Sequence, residues 1–147
     1  MLKKAIFPGC YVQGPGVVKD LSMIGELKGK SLFVLAANSA MRNVIEPNLE
    51  NWRAHCEVDV ERFNGICAWD EINRVIALVD GKNYDFIAGM GGGKVIDTAR
   101  VAARKQAIPF ISIPTIAATD APTASACVIY DESGVIKTTG SRAIALL

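Results

Sequence analysis

The chain has 147 residues, of which 50% are hydrophobic and 21% charged, enough apolar side chain for one core and too little charge for a disordered chain. Its 16 Lys and Arg against 15 Asp and Glu leave a net charge of +1, which gives no electrostatic footprint for DNA, RNA or an anionic membrane and excludes an acidic tail. No apolar run approaches the ~18–20 residues of a membrane span, and Pro8, Gly9 and Cys10 interrupt the N-terminus before a signal-peptide core can form, so a soluble, cytoplasmic protein is expected.

Taken in chain order, Ala5–Phe7 and Tyr11–Gln13 read as short extended pieces around a Pro8-Gly9 turn. A helix is expected from Gly16, with Val17, Val18, Leu21, Ile24 and Leu27 on one face. Ser31–Ala37 is continuous and apolar, the pattern of a strand buried on both sides. Ser39 is placed to cap a following helix with Met41, Val44, Ile45 and Leu49, although Pro47 counts against an unbroken one. Cys56–Val60 alternates like a strand. Asp70 is a suitable N-cap for a helix that presents Ile72, Val75, Ile76 and Val79 at helical spacing.

Asp85–Ala88 is a further strand and runs directly into glycines. Lys94–Lys105 follows as a helix and Pro109–Ile113 as a strand. This alternation implies the α/β class, a mostly parallel sheet with helices on both faces. Ala124–Tyr130, the turn residues Asp131 to Gly134, and Val135–Lys137 predict a C-terminal β-hairpin. Beyond it Thr138–Leu147 has no recognisable closing element. Cys10, Cys56, Cys67 and Cys127 form no C-x-x-C pair, and His55 is the single histidine, so free thiols are expected and no zinc site of the usual nitrogen and sulfur donors.

The densest chemical signal is Gly89-Met90-Gly91-Gly92-Gly93-Lys94, between a strand and its helix. Glycines let backbone amides approach a diphosphate, and a helix N-terminus adds partial positive charge. Ala88 and Val95 stand where a P-loop needs Gly and Ser or Thr. Lys94 holds the place of the last glycine of the dinucleotide fingerprint G-x-G-x-x-G, and the segment follows a late strand. A flexible turn is the plainer alternative, but four glycines in five residues are excessive for a turn alone. Asp97, one turn into the helix, either compensates the helix dipole or points into the cleft.

Pro114 to Thr123 emerges on the same sheet edge, with Thr115, Thr119, Asp120 and Thr123 supplying hydroxyls and a carboxylate. Such a loop suits hydrogen bonds to a cofactor or polyol. Asp120 either accepts from substrate hydroxyls or closes an Asx turn on its own backbone.

Three segments in order, Gly89 to Arg100, Pro114 to Pro122 and Val128 to Tyr130, resemble the glycerol dehydrogenase family of the iron-type, metal-dependent alcohol dehydrogenases. Pro8 to Gly14 fits the same pattern, and the similarity runs from about Phe7 to Tyr130. The resemblance implies a Rossmann-like cofactor-binding half, with residues 1–147 as one dinucleotide-binding domain. The implied activity is hydride transfer from glycerol or a similar vicinal diol to NAD, with NADP not excluded. By the same resemblance Gly91, Gly92, Gly93 and Lys94 hold the pyrophosphate, Asp97, Thr115 and Thr119 line the cofactor cleft, Tyr130 lies near the nicotinamide, and Asp120 contacts the substrate. The implied partner is a small polyol, in a homo-oligomer with neither nucleic acid nor membrane.

Three departures accompany the resemblance. Ala37 stands where the family carries an Asp that grips the adenine ribose, which removes one penalty against a 2′-phosphate. Ala118, Ala124 and Ala126 stand where Ser, Ser and Leu are common. The zinc or iron of the family, held by Asp and His ligands, is expected only with a helical C-terminal domain that is absent from this chain.

Overall fold

The computed structural model describes residues 9–124, 126–131, 133 and 135–139. The expected piece Ala5–Phe7 and the tail from residue 140 onward lie outside these residues, as do Ser125, Glu132 and Gly134.

The helix expected from Gly16 does not form. Its apolar residues instead sit on three single 3-10 turns, Val17–Lys19, Leu21–Met23 and Gly25–Leu27. Gly16 enters at φ +77°, and at Asp20 the backbone becomes extended while its carboxylate accepts the Ser22 N–H at 2.8 Å. That local side-chain bond competes with a continuous helix and breaks it. Leu21 and Leu27 are nevertheless buried, and the Trp52 indole N–H donates to the Val18 carbonyl at 3.0 Å, tying the turns to the body. Tyr11–Gln13, expected as extended, joins no strand.

Four strands form one parallel sheet: β1 (Ser31–Ala36), β2 (Glu57–Arg62), β3 (Phe86–Gly91) and β4 (Phe110–Pro114), in the order β2-β1-β3-β4. From β1 the chain crosses to β2 on one side, then returns past β1 to β3 on the other. A crevice therefore opens at the carboxyl ends of β1 and β3, where ligands of such sheets bind.

Between β1 and β2 one continuous rod comprises α1 (Asn38–Ala40), a wide π-helical turn (Met41–Ile45) and α2 (Glu46–Arg53). Ser39 lies inside this rod, and the N-cap is Ala37. Pro47 does not end the helix because it falls in the first turn after the wide segment, where its missing N–H and its ring are tolerated. Helix α3 (Trp69–Val79) is capped at Ala68, with Asp70 and Glu71 in its first turn rather than at the cap. Helix α4 (Gly93–Lys105) follows β3 directly.

The sheet is covered on both sides, as its apolar strands require. The rod and the 3-10 turns pack on Leu32, Val34, Ala36, Val58, Ala88 and Met90. Helices α3 and α4 pack on Phe33, Leu35, Ile87 and Phe110. The C-terminal hairpin pairs β5 (Cys127–Tyr130) with β6 (Ile136–Thr139) in antiparallel register. Asp131 shapes its turn by accepting the N–H groups of Ser133 at 3.0 Å and Val135 at 2.9 Å. The Tyr130 N–H donates to the Cys67 carbonyl at 2.8 Å, which fixes the hairpin beside α3.

Candidate functional site

Strand β3 extends through the glycines to Gly91, further than the expected Asp85–Ala88. Each glycine makes a different contact. A Cβ on Gly89 would lie 3.0 Å from both Ala99 Cβ and Ile96 Cα, so its absence lets α4 lie close on the sheet. Gly91 has φ +148°, and a Cβ there would lie 2.6 Å from Val95 Cγ1 and 2.9 Å from Ala37 Cβ. Its place is the reversal point between β1 and β3, bridged by the Ala37 N–H donating to the Met90 carbonyl at 2.9 Å. Gly92 is the N-cap of α4, and no side chain caps that helix. A Cβ on Gly92 would lie 3.1 Å from Ile116 Cδ1, and one on Gly93 would lie 2.9 Å from Thr119 Oγ1.

The loop after β4 therefore faces the glycines, as its position on the sheet edge predicts. The Thr115 N–H donates to the Gly91 carbonyl at 3.1 Å, and the Thr115 side chain is exposed. Thr119 Oγ1 accepts the Ala121 N–H at 3.1 Å. The Asp120 backbone carbonyl accepts from the N–H groups of Thr123 and Ala124. Its carboxylate makes no hydrogen bond among the described residues and is exposed, so the Asx turn weighed for it is not formed. Lys94 is also exposed, with Nζ 4.8 Å from the centre of the Tyr130 ring, a cation–π contact that draws β5 to the mouth of the crevice.

Asp97 stands apart from this group. It is buried, one carboxylate oxygen accepts the Val128 N–H at 3.0 Å, and the other lies 3.3 Å from Arg100 Nη1. Burial pushes its carboxyl above the usual range, against the downward pull of the Val128 N–H and the Arg100 charge. Neither cleft exposure nor simple dipole compensation describes it; Asp97 is a strut between α4 and β5. Next to it Cys67 and Cys127 are buried free thiols, and burial raises both, Cys67 to about 11.

Two residues carry more of the site than their sequence context indicated. Arg100 is buried, bonds Asp97, donates through Nη2 to the Ala121 carbonyl, and lies 5.3 Å from the Phe110 ring centre. It thus clamps the hydroxyl-bearing loop to α4. The Asp97–Arg100 spacing of three on a helix was the available signal. Ala37 is the second, because only the sheet order brings it against Gly91. Two other surface concavities lie elsewhere, one between Asn64 and Arg74 and one beside Ser31, Glu57 and Tyr84. Among the described residues no three His, Cys, Asp or Glu side chains gather to hold a metal ion, and no helix is long and apolar enough to cross a membrane.

The glycine crevice fits a dinucleotide diphosphate: it has a cradle that a Cβ would fill, an uncapped helix N-terminus and a facing loop of hydroxyls. Comparison with known proteins agrees with that chemistry. Residues 8–145 match the model of the iron-containing alcohol dehydrogenase family. A glycerol dehydrogenase of Citrobacter freundii is 39% identical over 135 residues, covering 91% of this chain and 37% of that protein. One of Thermotoga maritima is 37% identical over 137 residues, covering 93% and 37%. The crystal structure of a probable glycerol dehydrogenase from Sinorhizobium meliloti superposes with a TM-score of 0.79 at 30% identity, over 95% of this chain and 38% of that one. The chain spans about 37% of the length of these curated relatives.

Proposed function

Since the chain belongs to the iron-containing alcohol dehydrogenase family, we propose that residues 1–147 form the dinucleotide-binding domain of an oxidoreductase that acts on glycerol or a similar vicinal diol. The observation that carries the reading is the Gly91–Ala37–Val95 contact at the strand reversal, which brings bare backbone to the mouth of the sheet beside the uncapped start of α4. A bound nicotinamide dinucleotide supplies the hydride acceptor.

The chain's own residues bind and orient. Backbone amides of Gly92 and Gly93 and the start of α4 hold the diphosphate, with Lys94 adding charge. Thr115 and Thr119 offer hydroxyls along the cofactor, and Tyr130, held by Lys94, borders the nicotinamide end. The exposed Asp120 carboxylate accepts from the substrate hydroxyls and orients the reacting carbon. Arg100 keeps the Thr119–Ala121 segment at the distance from α4 that this requires. The polyol follows from the relatives, which are glycerol dehydrogenases. The described residues offer no ligand set for zinc or iron, so none of these roles involves a metal ion.

Calorimetric titration of the folded protein with NAD+ tests the reading. Uptake of one dinucleotide per chain, competed by ADP because both carry the diphosphate, is the expected result. Heats of dilution alone for both ligands would contradict it.

A further inference from the structure

A dinucleotide whose diphosphate lies on a glycine strand lays its adenosine ribose over the neighbouring strand end, where a carboxylate commonly binds the 2′-hydroxyl and repels a 2′-phosphate. In this sheet the neighbour is β1, and its end is Ala37, packed against Gly91. Local stability does not account for alanine there. Ala37 is the N-cap of α1, at φ −67° and ψ 150° with no side-chain cap, a position where Asp is strongly favoured and Ala disfavoured. The next two residues, Asn38 and Ser39, are exposed and neutral.

Two cations flank the same corner. Arg42 lies four residues beyond Asn38 on the rod, is exposed, and helical side chains lean toward the N-terminus. Arg62 ends β2 in register with Ala36 and is exposed. By strand alternation it shares the face of Val58 and Val60, the face on which the rod packs. Neither guanidinium makes an ion pair among the described residues. The neighbouring carboxylate on β2, Glu61, points to the opposite face and is held by Arg74 at 2.6 Å.

We infer that the corner made by Ala37, Arg42 and Arg62 admits a 2′-phosphate, so that the protein binds NADP at least as tightly as NAD, and that residue 37 sets this preference. The inference rests on the reading of the glycine crevice as a dinucleotide site. Arginine suits the role because its planar fork matches a phosphate, while the small Ala37 leaves room and adds no negative charge.

Calorimetric titration with NADP+ and NAD+ of the wild-type chain, of Ala37→Asp and of the double variant Arg42→Ala/Arg62→Ala tests it. Ala37→Asp preserves the fold, because Asp is a good N-cap. The expected wild-type dissociation constant for NADP+ is equal to or below that for NAD+. Ala37→Asp weakens NADP+ by about tenfold or more through carboxylate–phosphate repulsion and leaves NAD+ unchanged or tighter. The double arginine variant weakens NADP+ and spares NAD+. Wild-type uptake of NAD+ with NADP+ more than about tenfold weaker overturns this inference alone, as does a NADP+/NAD+ ratio that Ala37→Asp leaves unmoved. Absence of uptake of both dinucleotides overturns the reading of the crevice and the inference with it.

Discussion

Replacing Gly91 by alanine adds one methyl group at the point where β1, β3 and α4 meet. The new Cβ would lie 2.6 Å from Val95 Cγ1 and 2.9 Å from Ala37 Cβ, well inside ordinary contact distance. Ala37 cannot retreat freely, because its N–H is bonded to Met90 across the strands and its carbonyl accepts the Met41 N–H at 3.0 Å. Overpacking of this kind costs about 1–3 kcal/mol. The φ of +148° adds a second cost of about 1–3 kcal/mol for a residue with a Cβ. The sum is ~2–6 kcal/mol, and at roughly 2–4 °C per kcal/mol for a chain near this length the melting temperature falls by about 10 °C. Urea and thermal unfolding followed by circular dichroism measure it. Gly92→Ala is the control: its φ is −87°, and its Cβ meets only the end of the exposed Ile116 side chain at 3.1 Å. That variant should stay within ~0.5 kcal/mol of wild type. Equal stability of Gly91→Ala and Gly92→Ala would refute the account of how the crevice is built.

Two further outcomes are expected. In the active enzyme Asp120→Asn lowers diol turnover far more than dinucleotide affinity, measured by steady-state rates and by titration; equal loss of both would remove Asp120 from the substrate role. Stability falls as pH rises from about 9 toward 11, because burial lifts the Cys67 thiol from 9.0 to about 11, so the folded chain keeps a proton that the unfolded chain releases. Tyr84, raised to about 12 by burial and by its bond to Asp59, extends the loss to higher pH. Urea midpoints measured across this range give the slope, and Cys67→Ala should flatten its lower part; an unchanged slope would contradict the role given to Cys67.

Period and composition made several elements legible. Ser31–Ala37 reads as a doubly buried strand because both faces of β1 are covered, and Ile72, Val75 and Val79 mark α3 because that helix has one buried face. The glycine run announces itself by density. The 3-10 turns were hidden because Leu21 and Leu27 fit a helical spacing while the Asp20 side chain breaks the backbone between them. Pro47 misled in the other direction, since a wide turn before it was not encoded in any local pattern. The contacts of Ala37 with Gly91, and of Arg100 with Ala121, join residues distant in sequence and follow only from the strand order and the packing of α4. The burial of Asp97 is of the same kind: one turn into a helix fixes its height but not whether β5 will cover it.

Gly92→Asp tests the diphosphate cradle most directly, because the fold and the ligand respond differently. Aspartate is a favoured N-cap, so the variant should be as stable as wild type or slightly more so, its carboxylate occupying the N–H groups at the start of α4. The same carboxylate repels a diphosphate at that place, so dinucleotide affinity by calorimetry should fall at least about tenfold. Undiminished affinity in a stably folded Gly92→Asp protein would contradict the assignment.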